Sequence, residues 1–413
     1  MPSPSPFRRD FTMVVIGQII SLFGNAILRF ALSLYVLSLT GSAGVFGGIL
    51  ALSMIPTVLL SPIGGVLADR LPRQRIMVVL DFVTCAFILG YDLLFAATGS
   101  LVAITVFLVL LSLIQAVYQP SVQASVPSLV PEESLMAANG VVMQVQALAS
   151  LLGPILGGVL YAAFGLRPIL AVSAVCFFAS AVLELFIRIP FTAQARTASA
   201  LGQIKSDLGD AFRFLSRDNP QLLKLLGVVA LINLFLSSLY MVGMPWLVKV
   251  HLGLGDQLYG FAEAALGIGT ILGGLLSGVL AVRVGFRRSH VFILADALLL
   301  LPLAAVLGAG AAPLLSYGVL LVSMAGGMAA ATLFSIVAQT YLQQQTPPVL
   351  LGKVASFVVT ISTCAIPLGQ AMYGGLFDAF RALPWLVFLF GGVVTVLLAL
   401  ATRSALHRAV ESA

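Results

Sequence analysis

Charge is scarce in this sequence: Asp, Glu, Lys and Arg make up 9% of 413 residues, against roughly 25% in an ordinary soluble domain. That shortage excludes a water-soluble globular protein. Cysteine and histidine are scarcer still, three of each. Cys85, Cys176 and Cys364 stand singly inside apolar runs, which argues against a disulfide framework. His251, His290 and His407 find no partner at ligand spacing, so neither a metal site nor a cofactor is expected. No GxxxxGK[ST] loop occurs, which excludes ATP-driven pumping by this chain alone and leaves no enzyme motif.

What is present is apolar sequence, 60% of the chain. Runs such as "LVAITVFLVLLSLI" and "ILAVSAVCFFASAVL" are apolar on all sides and, with their flanks, reach the roughly 20 residues that cross a bilayer. Open strands would leave backbone groups unpaired in lipid, so the spans are helices. Twelve are expected, near 12–38, 44–68, 76–98, 101–125, 136–163, 168–187, 223–249, 257–282, 290–309, 313–341, 352–378 and 383–403. The fold class is an all-α integral membrane protein, with an N-terminal bundle over 1–187, a linker over 188–222 and a C-terminal bundle over 223–413.

With the N-terminus in the cytoplasm, 17 of the 21 Lys and Arg fall on cytoplasmic segments and three on the opposite side. The positive-inside rule then puts both termini in the cytoplasm. The net charge of +6 is thereby topological, and no nucleic-acid partner is expected. In the linker, Leu201, Ile204, Leu208, Ala211, Phe212 and Leu215 recur at helical spacing with charges on the other faces. An amphipathic helix along the membrane surface is expected there, ended by Asn219-Pro220.

The chain repeats itself. "GGVLADRLPRQR" at 64–75 returns as "SGVLAVRVGFRR" at 277–288, an offset of 213 residues, with Asp69 falling on Val282. Two six-helix halves in one orientation place a substrate site at their interface. The residues Gly65-x-x-x-Asp69-Arg70-x-Pro72-Arg73-Gln74, with Arg75 beside them, resemble the signature G-x-x-x-D-R-x-G-R-R of the major facilitator superfamily, departing from it at Pro72 and Gln74. Gly140, Ala149, Gly153-Pro154 and Gly157-Gly158 resemble that family's antiporter motif of helix five, with one glycine replaced by Ala149. "VPEESLMAANG" and "LTGS" look like the macrolide and multidrug efflux branch.

The resemblance implies two pseudo-symmetric bundles and export of small molecules in exchange for protons. It also implies a latch in which Asp69, with Gly65, Arg70, Arg73 and Arg75, meets the N-terminus of helix eleven. A carboxylate at the C-terminal end of its own helix is electrostatically disfavoured, so Asp69 needs such compensation. The cavity arginine that drug antiporters of the family carry on helix four is absent.

Ionisable groups inside a membrane span are costly and mark function. Arg29, one turn beyond Asn25, and Glu263, about 9 Å deep in span eight at the helical rise, are the candidates for substrate or proton handling. A static Arg–Glu pair is the alternative. Gln115, Tyr118, Gln119, Gln144, Asn233, Tyr240, Met244 and Trp246 are the candidate cavity residues, and the mobile Met and flat aromatics suit amphiphilic molecules. Asp81 and Asp296 are expected to anchor the arginines of the two repeated motifs. Glu184 with Arg188, and Asp378 with Arg381, are expected as interfacial pairs. The expected partners are lipid, a small-molecule substrate and protons, and the protein is expected to be a monomer in a bacterial inner membrane. A proton-coupled importer, an exporter of a specific metabolite or siderophore, and a non-transporting receptor are the alternatives.

Overall fold

Helices fill nearly all of the chain. A computed structural model describes residues 9–190 and 200–411, and among the described residues there is no strand. The first six helices are α1 Arg9–Thr40, α2 Ala43–Arg70, α3 Arg73–Leu94, α4 Leu101–Leu129, α5 Leu135–Phe164 and α6 Leu166–Leu185. Next come the shorter α7 Ala200–Arg213, α8 Pro220–Ile232 and α9 Ser238–Trp246. The last five are α10 Asp256–Val284, α11 His290–Gly308, α12 Pro313–Gln345, α13 Pro348–Ala379 and α14 Pro384–Glu411. Among the described residues, twelve helical stretches are long and apolar enough to cross a membrane, in agreement with the twelve expected. The seventh is the composite Pro220–His251. It joins α8 and α9 through a wide π-helical turn at Asn233–Ser237 and ends in another at Leu247–His251.

The chain forms two compact units, one of residues 1–39 and 52–200, the other of 40–51 and 201–413. Residues 40–51, expected in the first bundle, thus group with the second unit. Asp378 near the end of α13 holds them there. It accepts the Ser42 hydroxyl at 2.5 Å and the backbone N–H groups of Ala43 at 2.8 Å and Gly44 at 2.9 Å. A carboxylate meeting the free N–H groups of a helix N-terminus is a charged cap on α2. Asp378 was expected to pair with Arg381; the cap is what it makes.

Each unit repeats a packing scheme. In the first, α3 packs on α6; in the second, α11 packs on α14 and α10 on α12. Glycine sets the closest approaches. A Cβ on Gly269 would collide with the Ala325 carbonyl, and one on Gly273 would meet Ala329 and Thr332. Gly274 and Gly278, which the sequence suggests as a second such pair, face open space. In α5, a Cβ on Gly153 would collide with Ala26, and one on Gly157 would come within 2.9 Å of Phe30. Those two glycines of the antiporter-like motif therefore seat α5 on α1, with Pro154 inside the helix and Gly158 buried. Gly140 has no neighbour within 4 Å of such a Cβ.

The expected linker helix is present as α7, although Leu201 and Ile204 lie outside the described side chains. Ala211, Phe214 and Leu215 enter the core of the second unit beside Leu222, Leu225 and Val354. Lys353 Nζ donates to Asp210 Oδ2 at 2.7 Å. That hydrogen bond, and then the lysine's charge, hold the half-buried Asp210 carboxyl below the ordinary aspartate value. Asn219 caps α8, its side chain accepting from Leu222 N, with Pro220 at the first helical position; proline belongs there because that N–H has no helical partner.

Candidate functional site

Polar side chains in the first unit gather on one stripe of α1. Gln18, Ser21, Asn25 and Arg29 follow one another at helical spacings of three and four, which puts them on one face. Arg29 is half-buried. Its Nε donates to Asn25 Oδ1 at 3.2 Å and its NH2 to the Ser112 hydroxyl of α4 at 3.0 Å. One turn further on, Asn25 and Ser21 line a small cavity with Asp81, Thr84, Gln115 and Tyr118. Its volume is about 10 Å³, room for about one water molecule. Beyond it, Tyr118 lies 3.3 Å from Ser21 and donates to Glu184 Oε1 at 2.7 Å. A polar file therefore runs from Arg29 to Glu184 inside an otherwise apolar bundle.

Several expected partners are different ones. Asp81 and Glu184 are 1% and 0% exposed, and among the described residues neither meets an arginine. Ser180 lies within hydrogen-bonding reach of Asp81, and Tyr118 holds Glu184, so Glu184 is a buried group and not half of an interfacial pair. Asp296, also fully buried, accepts from the Tyr240 hydroxyl. The arginines are occupied elsewhere. Arg73 donates to the carbonyls of Ala68 at 3.1 Å and Ala124 at 2.5 Å, and to the Ser128 hydroxyl at 3.1 Å. It pins the turn after α2 to the end of α4. Arg70 and Arg75 are exposed; Gly65 and the Asp69 side chain lie outside the described residues.

The second unit contains a much larger cavity, about 610 Å³. Asn233, Ser237, Thr332, Ser335, Gln339 and Thr363 supply polar groups among leucine, isoleucine, valine and Met328, with no charged residue among the described lining residues. Drug-sized pockets have this volume and this apolar majority. The wide turn at Asn233–Ser237 sits on its wall, and Asn233 is tied to the Ser362 carbonyl at 3.2 Å. Thr270 of α10 reaches the cavity. Glu263, two turns earlier, accepts from Tyr259 at 2.8 Å.

The candidate cavity residues thus separate. Asn233 lines the large cavity, and Gln115 and Tyr118 line the small one. Gln119 accepts from Gln146 at 3.1 Å, while Gln144 is exposed on α5. Tyr240 is bonded to Asp296. Met244 and Trp246 are fully buried, with the Trp246 ring 5.1 Å from Phe377 in an aromatic cluster. Gln18, Ser21, Thr84 and Gln146 escaped the sequence reading. The α1 stripe could have exposed the first two.

The sequence profile of the Major Facilitator Superfamily matches residues 14–236. Macrolide efflux protein A of Streptococcus pyogenes is 26% identical over 95% of each chain. The multidrug efflux pump Tap of Mycobacterium tuberculosis is 25% identical, over 89% of this chain and 87% of its own. Among solved structures, a bacterial homologue of the iron transporter ferroportin, in its inward-facing state, superposes with a TM-score of 0.72 at 20% identity, covering 96% of this chain and 99% of that one.

Proposed function

The chain belongs to the Major Facilitator Superfamily, and on that premise we propose that it is a proton-coupled exporter of small amphiphilic compounds working by alternating access. The observation that carries the reading is the 610 Å³ cavity of the second unit, mixed apolar and neutral-polar, with no charge among its described lining residues. Such a surface receives molecules with a large apolar body and scattered hydrogen-bonding groups; it offers no ion pair to a charged metabolite. The efflux names of two relatives and the close seating of α5 on α1 through Gly153 and Gly157 support the same direction of transport.

Arg29 and Glu263 are the charged groups we assign to substrate or proton handling. The family's drug antiporters carry an arginine on helix four; here Arg29 of α1 reaches Ser112 of α4 and brings a guanidinium to that helix from its neighbour. The protein works in a bacterial inner membrane with both termini in the cytoplasm, a placement supported by the bias of 17 basic residues against three.

The test is expression in an efflux-deficient bacterial host challenged with macrolides and other amphiphilic drugs, with and without a protonophore. Raised inhibitory concentrations that collapse with the protonophore are expected. An unchanged susceptibility profile from protein present in the membrane would contradict the reading.

A further inference from the structure

Two carboxylates, Asp81 of α3 and Glu184 of α6, are buried and act on each other electrostatically, and among the described residues no ion pair balances either. Glu184 is the penultimate residue of α6, where the helix end itself contributes partial negative charge. Ser180, one turn earlier on the same face, reaches Asp81 of α3 as well as the Gly17 carbonyl, the latter at 3.1 Å. Asp81 and Glu184 thus share one interface and act on each other electrostatically.

Among the described residues, the groups that meet the pair are uncharged: Gly17 and Ser21 from α1, Tyr118 from α4 and Ser180 from α6. Gln74 spends its amide on the carbonyls of Glu184 and Leu185, both at 3.0 Å, and Arg73 is bonded to α4. Among the described residues, Asp81 Oδ2, Glu184 Oε2 and both amide atoms of Gln18 have no hydrogen-bond partner. Two negative charges without a counter-ion do not persist in a membrane interior. Glu184 has one oxygen held by Tyr118 and one open, and Asp81 Oδ2 is open as well, which is what a bound proton requires.

We propose that Asp81 and Glu184 form a proton-binding site within the first unit, a carboxyl pair that shares one proton. Binding forms one O–H bond at Asp81 Oδ2 or Glu184 Oε2 and adds one positive charge to the site. The Tyr118 hydroxyl holds Glu184 in place through its other oxygen, and the water-sized cavity beside Asp81 joins the pair to Asn25 and Arg29. The use of that proton rests on the export reading above; its binding does not.

Infrared difference spectra of the purified full-length protein, recorded as pH is lowered, test the site directly. The wild type is expected to show the C=O stretch of a neutral carboxylic acid. With the proton on Glu184, Tyr118→Phe should move that band to higher frequency, because the Glu184 carbonyl loses a hydrogen-bond donor; with the proton on Asp81 the band should stay, and in either case the double variant Asp81→Asn/Glu184→Gln should lose it. Spectra of the double variant identical to wild type overturn the proposal. If the double variant does not fold, the single variants Asp81→Asn and Glu184→Gln decide, and a band unchanged in both overturns it. Drug efflux plays no part in the readout: a band that behaves as expected in a protein that exports nothing supports the site and counts against the export reading alone.

Discussion

Arg29 sits where a charge is hardest to keep, and its geometry shows why it is an arginine. The guanidinium reaches Asn25 on its own helix and Ser112 on α4 from one rigid plane. A lysine ammonium is a point charge on a flexible stem and cannot reproduce that fork. Arg29→Ala is expected to lower the initial rate of drug export by roughly tenfold or more, the equivalent of one charge-assisted hydrogen bond, and Arg29→Lys to restore it partly. Export rates in inverted vesicles at matched protein levels check this; equal rates for all three would remove Arg29 from the site. Arg29 and Asn25 were legible in the sequence because i, i+4 spacing fixes them on one face. Ser112 was not, since nothing along the chain distinguishes a helix-four serine that meets a guanidinium from one that bonds its own backbone. Asp81 and Asp296 misled for the converse reason: nearby arginines in sequence suggested ion pairs, while in space serine and tyrosine hydroxyls are nearer. Pro72 carries a clearer lesson. At the 213-residue offset it falls on Gly285, which has φ 64°, whereas Pro72 has φ −57°. A proline ring cannot adopt positive φ, so the two repeated turns differ in build despite their shared wording.

Helices, rather than residues, carry the next set of consequences. The approach of α10 to α12 leaves no room for a side chain at Gly269. Gly269→Val should destabilise the protein by about 1–3 kcal/mol or more through overpacking, whereas Gly274→Val, in open space, should be close to neutral. Thermal unfolding of the two variants side by side measures the contrast. The spacing alone made Gly274 look like Gly269; which glycines meet a neighbour depends on how the helix is rotated against its partners. At the start of α2, Asp378→Ala removes the carboxylate that accepts from Ser42, Ala43 and Gly44, at an expected cost of about 1–2 kcal/mol for a lost cap. Equal melting temperatures for variant and wild type would contradict the capping role. For α7, the amphipathic spacing announced the helix, but its seat on the second unit depends on contacts across more than a hundred residues. The folded state holds the Asp210 carboxyl below its ordinary value, so the bond to Lys353 stabilises folding above that ordinary value. The contribution is lost as pH falls through the lowered one. The protection of α7 amides, their exchange rates divided by the intrinsic rate at each pH, should therefore fall at acid pH in the wild type, and Asp210→Asn should show lower protection already at neutral pH.

The whole molecule is one six-helix plan used twice. The pairing of α3 with α6 recurs as α11 with α14, as the repeated "GVLA" stretch at 65–68 and 278–281 suggests. Span number and fold class could be read from the sequence because lipid allows few alternatives: a long apolar run must be a helix. The cavity could not, because it is bounded by the ordinary leucines, serines and threonines of separate helices and by a π-helical turn with no sequence signature. Both units nevertheless contain a buried aspartate beside a tyrosine: Asp81 acts electrostatically on Tyr118, and Asp296 accepts from Tyr240. The first unit adds Glu184 and the polar file to Arg29; the second adds the drug-sized cavity. The proposed exchange of a drug for a proton would use both, and proteoliposomes of the purified protein test it most directly. Vesicles with a pH-sensitive dye trapped inside receive an amphiphilic drug on one side only, with no initial pH difference. Proton movement opposite to the drug, absent without protein and absent with a non-substrate, is the predicted result. Drug flux without proton movement, or with protons moving in the same direction, would contradict the account.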